Sequence, residues 1–166
     1  MDLCISELHL RRPPWRLRNK VIAENLLPNK SVLDLGGGAA NLLKYYSPTD
    51  YMCVDGMDMP EVDKKLDLNT DYQNELPNNW DYAVNSGILE YVYNVELYLD
   101  RQKSLAKEYI FTWFPDKLQG KQGHEWIVPI IEKNYSITQT IPWGIQKIYK
   151  CLPKYKNVFI PKTCGL

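Results

Sequence analysis

The chain is poor in the residues that build metal centres and disulfide frameworks. It holds four cysteines and two histidines in 166 residues. Cys4, Cys53, Cys151 and Cys164 stand far apart, and no two show the close spacing of a metal-binding pair. Cys53 falls inside an apolar run expected to be a buried strand, so the pattern predicts free thiols in a reducing cytoplasm. Charge of one sign is lacking too. Twenty Lys and Arg cancel 20 Asp and Glu, so no overall field draws the protein to nucleic acid or to a membrane surface. No apolar run approaches the roughly 20 residues that a spanning helix needs. The N-terminal segment has no apolar stretch of the secretory kind. Repeats and low-complexity segments are absent. The length suits one domain with a sizeable core, and 45% hydrophobic with 24% charged residues is ordinary for a globular protein.

What the chain does have is Ser31-Val32-Leu33-Asp34-Leu35-Gly36-Gly37-Gly38-Ala39-Ala40-Asn41-Leu42-Leu43. It reads as a short apolar strand holding an acid, a break of three glycines, and a helix. Such a loop brings backbone N–H groups close to a ligand with no Cβ between. Asp34 separates the candidate ligands. A carboxylate just before the glycines sits badly beside a dinucleotide's pyrophosphate, whereas it suits an amino group or a sulfonium. S-adenosylmethionine (SAM) carries both. A lone glycine motif is weak, so the order of the segments downstream of it matters. Tyr51-Met52-Cys53-Val54-Asp55-Gly56 is a second apolar run ending in an acid. Asp55 lies about 20 residues beyond the loop, the spacing of a carboxylate that grips ribose hydroxyls. Residues 65–68, 80–87 and 109–114 read as three further strands, each ending in polar or small residues.

In this order the chain resembles the class I SAM-dependent methyltransferases over nearly its whole length. Val32-Leu33-Asp34-Leu35-Gly36-Gly37-Gly38 is similar to the first family motif and Val54-Asp55 to the second. Lys65-Leu66-Asp67-Leu68-Asn69 resembles the third. Trp80-Asp81-Tyr82-Ala83-Val84 with Gly87-Ile88-Leu89-Glu90-Tyr91-Val92 resembles the fourth strand and its helix. Gly144-Ile145-Gln146-Lys147-Ile148-Tyr149 is similar to the last strand of short members. The resemblance implies that Asp34, Gly36, Gly37 and Gly38 hold the methionine end, Asp55 with Gly56 the ribose, and Asp67 and Leu68 the adenine. It puts Asn85 or Ser86 beside the transferred methyl. The chain departs from the family pattern twice: a glycine is replaced by Ala40, and a histidine common after Leu-Glu is replaced by Tyr91.

The expected architecture is α/β, a Rossmann-like seven-stranded, mostly parallel sheet with one antiparallel strand and helices on both faces. Residues 1–28 form a basic arm and a helix, 29–152 the SAM-binding domain, and 153–166 a tail. Helices are expected at 19–27, 39–46, 87–107 and 125–134, and an extended arm at 11–18. Residues 56–63 are too few for a crossover helix between the second and third strands. Residues 135–141 and 145–151 should form an antiparallel pair, joined by so short a turn.

A methyl acceptor activated by a base points to His124 in Gly123-His124-Glu125-Trp126. A capping role fits that histidine equally, and Glu90 is a second candidate with an equally good place on a helix surface. Asp67, with Asp63 and Asp71 nearby, also reads as part of a solvated loop. The arginines of residues 11–18 suit an anionic acceptor or nucleic acid, but the neutral total favours a solvated arm. Trp15, Trp113, Trp126 and Trp143 fall near expected loops, where they wall an acceptor site or pack a core. The sequence thus predicts methyl transfer from SAM to a small-molecule or glycan-type acceptor. The alternatives are a SAM-binding partner protein without catalysis and, disfavoured by Asp34, a nicotinamide enzyme.

Overall fold

Alternating apolar residues in a row of short strands give this chain a sheet with a core on each side. The computed structural model describes residues 13–113, 126–144 and 146–155. Helix α1 (Pro13–Glu24) leads into strand β1 (Val32–Leu35). Strands β2 (Tyr51–Asp55), β3 (Lys64–Lys65) and β4 (Trp80–Ser86) come next, then helix α2 (Val95–Gln102) and strand β5 (Ala106–Thr112). Helix α3 (Ile127–Asn134) precedes strands β6 (Tyr135–Trp143) and β7 (Gln146–Pro153).

The seven strands lie in the order β3-β2-β1-β4-β5-β7-β6. Strands β1 to β5 pair in parallel, with Val32 opposite both Tyr51 and Tyr82. Strand β7 pairs antiparallel with β5 and β6, so one strand runs against the rest. The order meets the expectation of a mostly parallel sheet closed by an antiparallel pair. The chain steps outward from β1 to β3 and then returns to β4 on the other side of β1. That reversal opens a crevice at the carboxyl ends of β1 and β4, the place where such sheets take ligands.

Leu33, Leu35, Ala83, Tyr109 and Phe111 pack with Val95, Tyr98 and Leu99 of α2 and Ile127 and Ile131 of α3. Their neighbours Val32, Tyr82, Val84 and Ile110 pack with Ile22 and Ala23 of α1. Tyrosines finish the first core. The Tyr135 hydroxyl donates to the Leu99 carbonyl at 2.7 Å, and Tyr109 donates to the Gln102 carbonyl. Both acceptors belong to the last turn of α2, where carbonyls have no partner within the helix.

Several expected boundaries are corrected. Residues 13–18 are helical, because prolines fit a first turn whose N–H groups lack partners anyway. The helix expected at 39–46 is a single 3₁₀ turn, Asn41–Lys44. Gly36, Gly38 and Ala40 take φ values of 73°, 52° and 45°, which keep the chain out of helical geometry until Asn41. The helix expected at 87–107 is α2 alone. Residues 87–94 form turns, and Asn94 starts the helix by accepting from the Leu97 N–H at 3.0 Å. Strand β3 is two residues long, and β5 begins at Ala106. Residues 56–63 form no helix, as their number led us to expect.

Candidate functional site

The crevice between β1 and β4 holds a cavity of about 310 Å³. Asp34 enters it from β1 and is 2% exposed. The Tyr51 hydroxyl donates to its Oδ2 at 2.7 Å. Its Oδ1 is buried with no hydrogen-bond partner among the described residues. Burial raises the carboxyl pKa to about 6, against the opposing pull of the Tyr51 hydrogen bond.

Gly36 and Gly37 line the cavity beside it. A Cβ on Gly36 would meet Ile88 Cβ at 2.8 Å, and one on Gly37 would meet Cys53 Sγ at 2.7 Å and Asp34 Cγ at 2.8 Å. Neither position has room for a side chain. Gly38 contributes through its backbone, whose N–H donates to Asp55 Oδ2 at 3.0 Å. Asp55 Oδ1 accepts from the Met57 N–H at 2.9 Å. The second acid therefore ties the glycine loop to the end of β2, and its oxygens keep further lone pairs for a ligand. Asp55 and Gly56 both line the cavity, as do Asp67 and Leu68. Asp67 is exposed, and its Oδ1 accepts from the backbone N–H of Asn69 at 2.9 Å, which is a turn role alongside the cavity one.

The pair at the end of β4 divides. Ser86 lines the cavity, while Asn85 is fully buried away from its wall. Tyr98 donates to Asn85 Oδ1 at 2.5 Å, and Asn85 Nδ2 donates to Gln102 Oε1 at 3.0 Å. Alternation along the strand sends these two side chains to opposite faces, so only one can meet the ligand. Glu90 is buried behind the wall, and Tyr91 lines it. His124 lies outside the described residues.

Arg18 is the residue that sequence reasoning missed. It sits in the segment read as a solvated arm, yet it is 1% exposed and lines the cavity. Its Nη2 donates to the Ser86 carbonyl at 2.8 Å. Burial pulls its pKa down to about 10, while Glu90 and Asp34 push it back up. The missed signal was helical spacing: Arg18 lies one turn before Ile22 and two before Leu26, on the same inward stripe. The side chain of Trp15 lies outside the described residues, and the other three tryptophans named above pack with the cores. Trp113 is fully buried and stacks on Tyr149 at 5.2 Å, and neither Trp126 nor Trp143 borders the cavity.

A buried anion, a backbone cradle without side chains and a second acid one strand away fit a ligand that joins an amino acid to a nucleoside. Solved structures agree on the fold. A SAM-dependent methyltransferase from Aquifex aeolicus superposes with a TM-score of 0.68 at 19% identity, covering 89% of this chain and 97% of that one. The N-methyltransferase NodS from Bradyrhizobium japonicum WM9, in complex with S-adenosyl-L-homocysteine (SAH), gives 0.65 at 11%, covering 87% and 90%. The ribosomal protein L11 methylase from Lactobacillus delbrueckii subsp. bulgaricus gives 0.54 at 16%, covering 84% and 79%. No protein-family model matches the sequence, and comparison with curated proteins finds no match. The chain has the class I SAM-dependent methyltransferase fold.

Proposed function

We propose that this protein binds SAM and transfers its methyl group to a small-molecule or glycan-type acceptor. The observation that carries the reading is Asp34: a buried carboxylate with one oxygen unpartnered, set among glycines that admit no Cβ. A buried charge with one oxygen unpartnered is costly unless a further positive group completes it. The ammonium of a methionine group is such a counter-charge, and Arg18 on the same cavity suits its carboxylate. Asp55 and Gly56 would take the ribose hydroxyls, with Asp67 and Leu68 beside the adenine. Ile88, Met57 and Val92 give the cavity apolar surface for a ring. Asn19 and Asn41 bring amides to the same cavity, which suits a hydroxyl-bearing acceptor.

When bound, SAM supplies a methyl group on a sulfonium that is already a good leaving group, so alignment contributes much of the acceleration. Ser86 would border the reacting centre. His124 is the candidate base for an acceptor hydroxyl or amine, with Glu90 the second. The place of Glu90 behind the cavity wall supports a second reading, a SAM-binding partner protein without turnover.

Calorimetry with SAH, SAM and NAD tests the binding. SAH and SAM should bind and NAD should not, and the reverse would end the methyltransferase reading. A screen of acceptors with methyl-labelled SAM then separates enzyme from binder. With an acceptor in hand, His124→Ala should lower turnover by about 10²–10⁴-fold at unchanged SAM affinity.

A further inference from the structure

We infer that Tyr51 is a positioning residue for the site: its hydroxyl anchors one oxygen of Asp34, so that the carboxylate meets a cationic ligand as an anion with its other oxygen. The inference rests on the reading that Asp34 receives the ammonium of the methionine group. Its geometry is independent of that reading. Tyr51 is the first residue of β2, opposite Val32, and its hydroxyl reaches forward along the neighbouring strand to donate to Asp34 Oδ2 at 2.7 Å. The ring packs partly buried against the core on the α1 side of the sheet. The phenol is therefore held by its ring as well as by its hydrogen bond.

Burial works against a charge on Asp34, and each element packed around the carboxylate adds to the balance. On β2, Asp55 opposes ionisation by like charge, while the Tyr51 hydrogen bond favours it. On α1, the buried Arg18 guanidinium favours it as well. The Cys53 thiol lies on the same face as this charge and the Tyr98 hydroxyl feels it from across the sheet; burial raises both, so they stay neutral. Burial and the carboxylate together push the Tyr51 hydroxyl far above the ordinary tyrosine value. It remains a donor over the whole working range. Arg18 is shared with Glu90 and with the Ser86 carbonyl, which leaves Tyr51 as the hydrogen-bond donor assigned to Asp34.

The test replaces Tyr51→Phe, which keeps the ring and removes the donor. Without it the Asp34 pKa rises, by about one unit for a charge-assisted bond of modest strength. SAH affinity of the variant should then be about threefold lower than that of the unaltered protein near pH 6.5, and within about 1.5-fold near pH 8.5. The ratio of the two affinities is the readout, because the ligand's own titration cancels in it. Methylthioadenosine, which lacks the ammonium, should bind both proteins alike at every pH. A ligand-free measurement backs this up: the melting temperatures should agree near pH 4, where Asp34 is protonated in both, and separate toward pH 8. A ratio that is constant with pH, equal loss of methylthioadenosine binding, or parallel melting curves would make Tyr51 a packing residue and overturn the inference. If the unaltered protein binds no SAH at any pH, the methyltransferase reading fails instead, while the melting curves still decide the role of Tyr51 toward Asp34.

Discussion

Asp34 and Asp81 sit on adjacent strands, toward opposite ends of the sheet. Asp81, at the start of β4, accepts from Lys107 Nζ at 2.8 Å and from the Ser31 N–H at 3.1 Å, with Lys30 at 3.9 Å. These partners hold its carboxyl down to about 2, the Lys107 hydrogen bond contributing most. Asp34, toward the end of β1, has one hydrogen-bond donor among the described residues, Tyr51, and a carboxyl raised to about 6 by burial. One edge of the sheet thus spends its acid on holding strands together. The other keeps an acid poorly satisfied, and beside it the buried Ser86 Oγ has no partner either. Incomplete satisfaction at one edge of a well-packed sheet marks that edge as the candidate ligand site.

The sharpest way to break this comparison is to fill the cradle. Gly36→Ala places a methyl 2.8 Å from Ile88 Cβ at a φ of 73°. Left-handed strain of about 1–2 kcal/mol and overpacking of about 1–3 add to roughly 2–5 kcal/mol of lost stability, with SAH binding lost as the loop moves. Urea unfolding and calorimetry measure both. Unchanged binding would show that the loop is not a rigid cradle.

Opposite signs are expected from the two aspartates. The raised Asp34 carboxyl makes the native state take up a proton between pH 3.8 and about 6, so its contribution to stability falls as pH rises through that window. Asp34→Asn should therefore stabilise the ligand-free protein by about 1–3 kcal/mol at pH 7, a gain that vanishes near pH 4. SAH binding should weaken at least tenfold. For Asp81 the native pKa is depressed, so its stabilisation is present above pH 3.8 and lost as pH falls toward about 2. Asp81→Asn should cost about 1–2 kcal/mol at pH 7, less in high salt, and leave SAH binding intact. Unfolding curves at pH 3, 5 and 7 with added SAH decide it, and equal signs would dissolve the contrast.

The smallest effect is expected from Ala40→Gly. Ala40 holds a φ of 45°, where glycine is at ease. Relief of about 1–2 kcal/mol, offset by about 0.4–1 of added chain entropy, leaves a gain on the order of 0.5–1 kcal/mol. A melting temperature higher by about 2–3 °C would register it. A lower one would mean that the Ala40 methyl packs for more than its backbone loses.

Asp34, the glycine loop, Asp55 and the strand pattern were legible because each is a local signal: an apolar run, a breaker and an acid at a fixed spacing. The missing helix between β2 and β3 was legible because eight residues cannot build a crossover. The helix expected at 87–107 was overcalled because its apolar residues Leu89 and Val92 are buried in turns as thoroughly as a helix would bury them. Periodicity reports burial, and burial does not require a helix.

By itself, then, the sequence determined the order of the strands' apolar runs, the loop that breaks after β1, and the two acids beside it. Only the tertiary structure decided that Arg18 belongs to the cavity, that Ser86 faces it while Asn85 turns to Tyr98 and Gln102, and that Tyr51 holds Asp34. Local chemistry is written in neighbouring residues. A charge's partner is chosen by packing between elements distant along the chain, and a carboxylate and a tyrosine 17 residues apart become neighbours only once β1 and β2 are paired.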